Sequence, residues 1–205
     1  MAGATLLPAS ALAMSMSEGT PQQADLMDKG QAHRGDGRGR LTKGDAAILR
    51  FLAAAEIIET DLWQQYNELG GIQDNVPGGE VPGGTGNPAY TAALAVLDED
   101  MAQYIHDNTD DEISHFTFLN AYLASHGVEP VNLDQFRTLP GSTATGSSGK
   151  KRLTNLMQLT VNTSFWTRYR SDTLNPDFGD ILPQAVPGLA AGQFPGIPRD
   201  RKSVV

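Results

Sequence analysis

Two side chains near residue 112 have the types and the spacing to bind one metal ion. Glu112 and His115 are three residues apart. On an α-helix this spacing places a carboxylate and an imidazole on one face, one turn from each other. Glu-x-x-His is the repeating unit of di-iron sites that are built inside helical bundles. The four-residue pattern is common, so it carries weight only if a second helix supplies carboxylates.

A second predicted helix supplies two such carboxylates. Residues 43–69 carry apolar side chains at helical spacing, and Gly70-Gly71 follows as a stop signal. Glu56 and Glu59 lie within this segment, Glu59 one turn before Trp63. A carboxylate that faces inward is costly to bury unless something compensates its charge, and a bound metal ion is one such compensation. The alternative is that both carboxylates lie at the edge of the apolar stripe, in solvent.

Three further segments carry helical signals. A short helix is predicted over residues 88–96, because Pro88 suits a first-turn position. The helix that carries Glu112 is predicted over residues 98–125. A third long helix is predicted over residues 151–170, which have apolar side chains at helical spacing: Leu153, Leu156, Met157, Val161 and Trp166. Together these segments favour an all-α fold.

The chain is expected to contain one helical domain between two irregular ends. Residues 1–42 predict a flexible polar arm, residues 43–170 the helical domain, and residues 171–205 an extended tail rich in Pro and Gly. Residues 4–13 are small and apolar, as in the second half of an export signal, without the positively charged start of one. We therefore expect a protein that is exported or periplasmic by ancestry, or cytoplasmic if the start as given is real.

Composition excludes several classes of function. The net charge of −9 and the pI near 4.8 argue against a nucleic-acid partner, which requires a basic surface. The chain has no Cys, so His and carboxylates must hold any metal, and this ligand set suits iron or manganese. No run of apolar residues is long enough to predict a membrane span.

Three segments give the chain a resemblance to the bacterial ferritin-like domain family, which includes the desiccation-related proteins. They are AAAEIIETDLWQQYNEL (53–69), DDEISHFTFLNAYLASHG (110–127) and VNLDQFRTLP (131–140). The matching region extends from about residue 49 to the NPDFGD segment at 175–180.

The resemblance implies a ferritin-like helical bundle with a di-iron site. Glu59, Glu112 and His115 would be metal ligands, and Glu112 would bridge the two ions. Glu56 is the alternative ligand from the first helix. Tyr66, seven residues after Glu59, would lie close behind the ligands.

The chain departs from the family pattern because it has one Glu-x-x-His where a complete bundle has two. We therefore expect a partial bundle, with one ligand-bearing helix pair plus a third helix. Either the domain is truncated in its C-terminal half, or two copies pair about a two-fold axis as a homodimer and complete the site. The expected activity is oxidation of Fe(II), or the handling of iron and oxidative stress. The alternative is a non-catalytic structural or desiccation-related stress protein that keeps the helices without a working metal site.

Overall fold

The computed structural model describes residues 40–74, 81, 84–165, 182–188 and 192–203. Within this part of the chain there are three α-helices, which are α1 (Lys43–Gly70), α2 (Pro88–Leu94) and α3 (Met101–Ser125). A short 3-10 turn (Asp134–Phe136), two isolated β-bridges and the two helical residues 164 and 165 complete the regular structure of these residues. The all-α class predicted from the sequence is confirmed for the described residues. The signal-like segment 4–13 and most of the predicted arm lie outside them.

The ends of α1 are set by local side chains. Thr42 caps the helix, because its hydroxyl oxygen accepts a hydrogen bond from the Asp45 amide at 3.1 Å. The Asp45 carboxylate is also favourable near the positive end of the helix dipole. The helix ends at two consecutive glycines. A Cβ atom on Gly71 would lie 1.7 Å from the Asn67 side-chain oxygen, so a larger residue at this position would force Asn67 to move.

The two long helices, α1 and α3, pack side by side and antiparallel. At one end the Arg50 side chain donates a hydrogen bond to the Glu129 carbonyl, just beyond the C-terminus of α3. At the other end the Ile72 amide donates to the Ala102 carbonyl at 3.3 Å, near the start of α3. α3 begins three residues later than predicted, because Asp98 forms a turn in which its carboxylate accepts from the Asp100 amide.

The apolar core lies between the C-terminal half of α1 and the N-terminal half of α3. Its buried side chains come from helices and from non-helical segments: Trp63, Tyr66, Leu69, Tyr90, Met101, Ile105, Ala144, Leu156, Met157 and Ile197. Each large apolar side chain in such a core contributes about 1.5–3 kcal/mol of transfer free energy. Residues 192–203 of the predicted tail take part, since Ile197 is buried and the Tyr90 hydroxyl donates to the Gly196 carbonyl at 2.7 Å.

The third helix predicted over residues 151–170 is wrong for residues 151–163. The Leu153 and Thr154 amides donate to the Asp61 carboxylate, each at 2.9 Å, and Arg152 forms an antiparallel bridge with Leu139. These amides therefore have partners outside a helix. Leu156 reaches the core, as its spacing indicated, but from a turn. Residues 164 and 165 are helical, as predicted, and residues 166–170 lie outside the described part of the chain.

None of the helices found in the described ranges is long and apolar enough to cross a membrane.

Candidate metal centre

Three side chains from the two long helices bring potential ligand atoms together. Glu56 comes from α1, and Glu112 and His115 come from α3; one ligand atom of each lies within 4.8 Å of the other two. His115 Nδ1 is 3.2 Å from Glu56 Oε2 and 3.3 Å from Glu112 Oε2. Ligand atoms that are each about 2.1 Å from one ion lie roughly 3 Å apart, so these separations fit a shared metal ion.

The three side chains differ in their exposure to solvent. The Glu112 side chain is 1% exposed, that of Glu56 is 24% exposed and that of His115 is 51% exposed. Within the cluster, Glu112 is therefore the buried side chain and His115 the one most exposed to solvent.

Burial and neighbouring acids hold a proton on Glu112. Loss of water around the side chain raises its pKa to about 9, and the hydrogen bond and the charge of Glu56 add to this effect, followed by the charges of Glu59 and Asp111. At neutral pH the Glu112 carboxyl is therefore neutral in the metal-free protein and hydrogen-bonded to Glu56. A cation at the cluster would reverse this preference and favour the carboxylate.

Glu59 and Tyr66 lie outside this trio. Glu59 is half-buried, and burial followed by the nearby charge of Glu56 raises its pKa, whereas His115 lowers it. Tyr66 packs in the apolar core with its ring centroid 6.1 Å from that of Trp63. A Cβ atom on Gly196 would come within 2.9 Å of the Tyr66 hydroxyl, so this hydroxyl faces the C-terminal segment, about 10 Å further along α1 than Glu59.

Two other acids on α1 have a structural role that the sequence analysis missed. Asp61 is fully buried and accepts hydrogen bonds from Arg137 at 2.6 Å and from the Thr154 hydroxyl at 2.8 Å, besides the two amides of residues 153 and 154. Glu68 pairs with Arg152 and accepts from the Ser148 amide at 3.0 Å. These carboxylates attach the irregular segment 137–154 to α1. In the sequence, Arg137 was the signal that this segment could pair with a buried acid, because it is the one basic residue between positions 128 and 149.

His106 lies in a separate polar contact near the start of α3. Its Nε2 is 2.9 Å from the Asp74 carboxylate, and its Nδ1 is 3.4 Å from Asp107. The Asp74 carboxylate also accepts from the Val81 amide at 3.2 Å. This histidine therefore connects α3 to the segment that follows α1, and it is not part of the metal cluster.

Comparisons of the chain with protein-family models, with curated proteins and with solved structures found no match.

Proposed function

We propose that this chain is a ferritin-like metal-binding protein in which Glu56, Glu112 and His115 bind a divalent iron ion. The observation that supports the proposal is the convergence of three ligand atoms from two helices, one of them on a fully buried carboxyl group. A buried acid between acidic neighbours lowers the stability of a fold unless a proton or a cation compensates it. A metal ion would supply that compensation.

The ligand chemistry favours iron, with manganese as the second choice. Two carboxylates and one imidazole suit both ions, and the chain has no thiolate to select a softer metal. Iron at this position would supply one-electron chemistry toward oxygen or peroxide, so the proposed activity is Fe(II) oxidation or the handling of iron under oxidative stress. Glu112 would release its proton as the ion binds, and the half-exposed His115 would leave one side of the ion open to solvent.

Thermal unfolding tests the proposal, because a ligand that binds only the folded state must raise the apparent stability. The parent protein should melt at a higher temperature when Mn(II), or Fe(II) under anaerobic conditions, is added. At a metal concentration one hundred times the Kd the gain is about 2.7 kcal/mol. Glu112→Ala should show no shift, and Glu99→Ala, a change at an exposed acid just before α3, should shift like the parent. Equal shifts in the parent and in Glu112→Ala would refute the assignment.

A non-catalytic structural or stress protein is the second candidate. The observation that favours it is that the cluster is satisfied without metal: Glu112 keeps a proton and hydrogen-bonds to Glu56, and His115 contacts both carboxyl groups. On this alternative the parent melts at the same temperature with and without either metal.

A further inference from the structure

The hydroxyl group of Thr60 is buried without a partner. Thr60 is 3% exposed, and its Oγ1 atom has no hydrogen-bond partner within the part of the chain that the structure describes. A threonine in a helix can donate to the carbonyl oxygen one turn earlier. Thr109 on α3 does so, toward the Ile105 carbonyl at 2.7 Å. Thr60 does not use the equivalent carbonyl of Glu56, although buried polar atoms are nearly always paired.

Thr60 lies next to the metal cluster on α1. It follows Glu56 by four residues, which places the two side chains one turn apart and about 40° from each other around the helix. Side chains on a helix lean toward its N-terminus, so the Thr60 hydroxyl lies over the turn that begins at Glu56. Thr60 shares the buried face of α1 with Ala53 and Ile57.

The packing of the two long helices places this hydroxyl in their interface. Along α1, Thr60 lies between the cluster and Trp63, whose ring centroid is 6.0 Å from that of Tyr104 on α3. Because α1 and α3 are antiparallel, the α3 residues at the level of Thr60 lie between Tyr104 and Glu112. Thr109, which is fully buried one turn before Glu112, is at this level. The Thr60 hydroxyl is therefore close to the buried end of the cluster.

Thr60 and His115 lie on different sides of the cluster. Glu59 is about 60° around α1 from Glu56, in the direction opposite to Thr60. His115 lies on the Glu59 side, since its charge influences the pKa of Glu59, and its side chain is 51% exposed. The His115 side of the cluster thus faces solvent, and the Thr60 side faces the interior of the helix pair.

A metal ion at the cluster needs ligands beyond the three side chains. Glu56, Glu112 and His115 offer one ligand atom each, fewer than the four to six that iron or manganese takes up. The Thr60 hydroxyl makes no hydrogen bond to any of the three. A small molecule bound to the ion on its buried side would supply a further ligand atom and would give this hydroxyl an acceptor.

We propose that the Thr60 hydroxyl is the hydrogen-bond donor of a subsite for a small anion, of the class of hydroxide or azide, that binds the metal ion on its buried side. The inference rests on the proposed function, because the anion requires the ion. A hydrogen bond to a charged acceptor is stronger than one to a neutral acceptor, so Thr60 favours anions over neutral ligands of the same size.

Azide binding to the Co(II)-loaded protein tests the subsite. Co(II) binds such ligand sets more tightly than Fe(II) or Mn(II), and its visible absorption changes when an anion joins its ligands. Thr60→Val keeps the shape of the side chain and removes the hydroxyl. Its affinity for azide should be about ten- to one-hundredfold lower than that of the parent, because a hydrogen bond to a charged acceptor is lost. Its affinity for Co(II) should match that of the parent, because Thr60 is not a metal ligand.

Thr60→Ser and Thr109→Val are the matched controls. The first restores a hydroxyl, and the second removes an equally buried hydroxyl that is already bonded to the Ile105 carbonyl, so both should bind azide like the parent. Equal azide affinities of the parent and Thr60→Val overturn the inference, as does an equal loss in the two valine variants. A loss of Co(II) affinity in Thr60→Val as large as its loss of azide affinity also overturns it.

Unfolding of the metal-free proteins gives a second readout. Removal of an unpaired buried hydroxyl should not lower the free energy of unfolding, whereas removal of a paired one should. In urea, Thr60→Val should be at least as stable as the parent, and Thr109→Val should be less stable. If Thr60→Val is the less stable of the two variants, the hydroxyl has a partner of its own in the metal-free protein and the inference is wrong.

The same titrations separate the inference from the proposed function. A parent that binds Co(II) and no azide refutes the subsite and leaves the metal site standing. A parent that binds no Co(II) refutes the metal site, and the subsite with it.

Discussion

His115 Nδ1 lies 3.2 Å from Glu56 Oε2, although 59 residues separate the two in the chain. This contact joins the two long helices at the level of the Glu-x-x-His pattern, and it places Glu56 closer to the α3 ligands than the neighbouring Glu59. One turn of α1 separates the two acids, so the identity of the ligand depends on how α1 and α3 are aligned along their axes. The contact between Glu56 and His115 is therefore the feature on which the proposed site depends.

Replacing Glu56 and Glu59 by alanine, one at a time, tests that alignment. Glu56→Ala should abolish metal binding, because it removes one of three ligand atoms. Glu59→Ala should weaken binding by less, since it removes only a nearby negative charge. Competition of Fe(II) or Mn(II) with a coloured chelator measures both affinities. If Glu59→Ala loses the metal and Glu56→Ala keeps it, the ligand set derived from the structure is wrong.

Metal binding should depend on pH through Glu112. Its pKa of about 9 means that the metal-free protein carries this proton at neutral pH, and the ion must displace it. Affinity should therefore rise with pH up to about pH 9, by up to roughly tenfold per pH unit for one released proton. Calorimetry in two buffers of different ionisation enthalpy detects the proton. Binding that releases no proton would contradict a protonated Glu112.

The same group has an effect on stability of defined sign. The folded state keeps the Glu112 proton up to about pH 9, whereas the unfolded state loses it near its ordinary pKa of 4.5. The unfolding free energy of the metal-free parent should therefore fall between these two values as pH rises. Glu112→Gln mimics the protonated form, so the difference in unfolding free energy between this variant and the parent, measured in urea, should grow with pH. A difference that is constant across this range would contradict a protonated Glu112 in the folded state.

Arg137 allows a buried and an exposed ion pair to be compared on one side chain. It donates to the fully buried Asp61 and also to Asp134, whose side chain is 73% exposed. Asp61→Ala should cost about 3–5 kcal/mol, because it leaves the arginine and two amides without their acceptor. Asp134→Ala should cost about 0–1 kcal/mol. Urea unfolding measures both, and similar losses would show that Asp61 does not organise the segment around residue 153.

His106 should stabilise the fold at low pH. Its hydrogen bond to Asp74 raises its pKa above the ordinary value of 6.5. Burial lowers this pKa, and the contact with Asp107 raises it further. This contribution is fully present below pH 6.5 and disappears as pH rises through the folded-state pKa. His106→Gln should therefore cost more stability at about pH 5 than at about pH 9. In an Asp74→Asn background, the pH dependence of this cost should be largely lost.

The helices could be predicted because their signals are local. The predicted end of α1 at residue 69 is one residue short of the end at Gly70, since a run of apolar residues at helical spacing meets two glycines there. The segment 151–163 was misassigned because Leu153, Leu156 and Met157 also recur at helical spacing. What decides its structure is Asp61, some 90 residues earlier, which binds the amides of residues 153 and 154. A long-range acceptor of this kind has no signature in the segment itself.

The types of ligand in the candidate site could be predicted from the sequence, but the choice of residue on α1 could not. Glu112 and His115 share a helix, so their proximity follows from spacing alone. The choice between Glu56 and Glu59 depends on the alignment of two helices, which the sequence does not specify. The Glu112 proton also follows from packing, because burial is its largest cause.

Counting the metal bound at equilibrium tests whether Glu56, Glu112 and His115 hold an iron ion. The purified, metal-free parent and Glu112→Ala would be dialysed against Fe(II) without oxygen, and bound iron would be determined by elemental analysis. We predict about one iron per chain in the parent, since each chain carries one Glu-x-x-His with one converging Glu from α1, and none above background in Glu112→Ala. A parent that binds no iron, or a variant that binds as much as the parent, would contradict it.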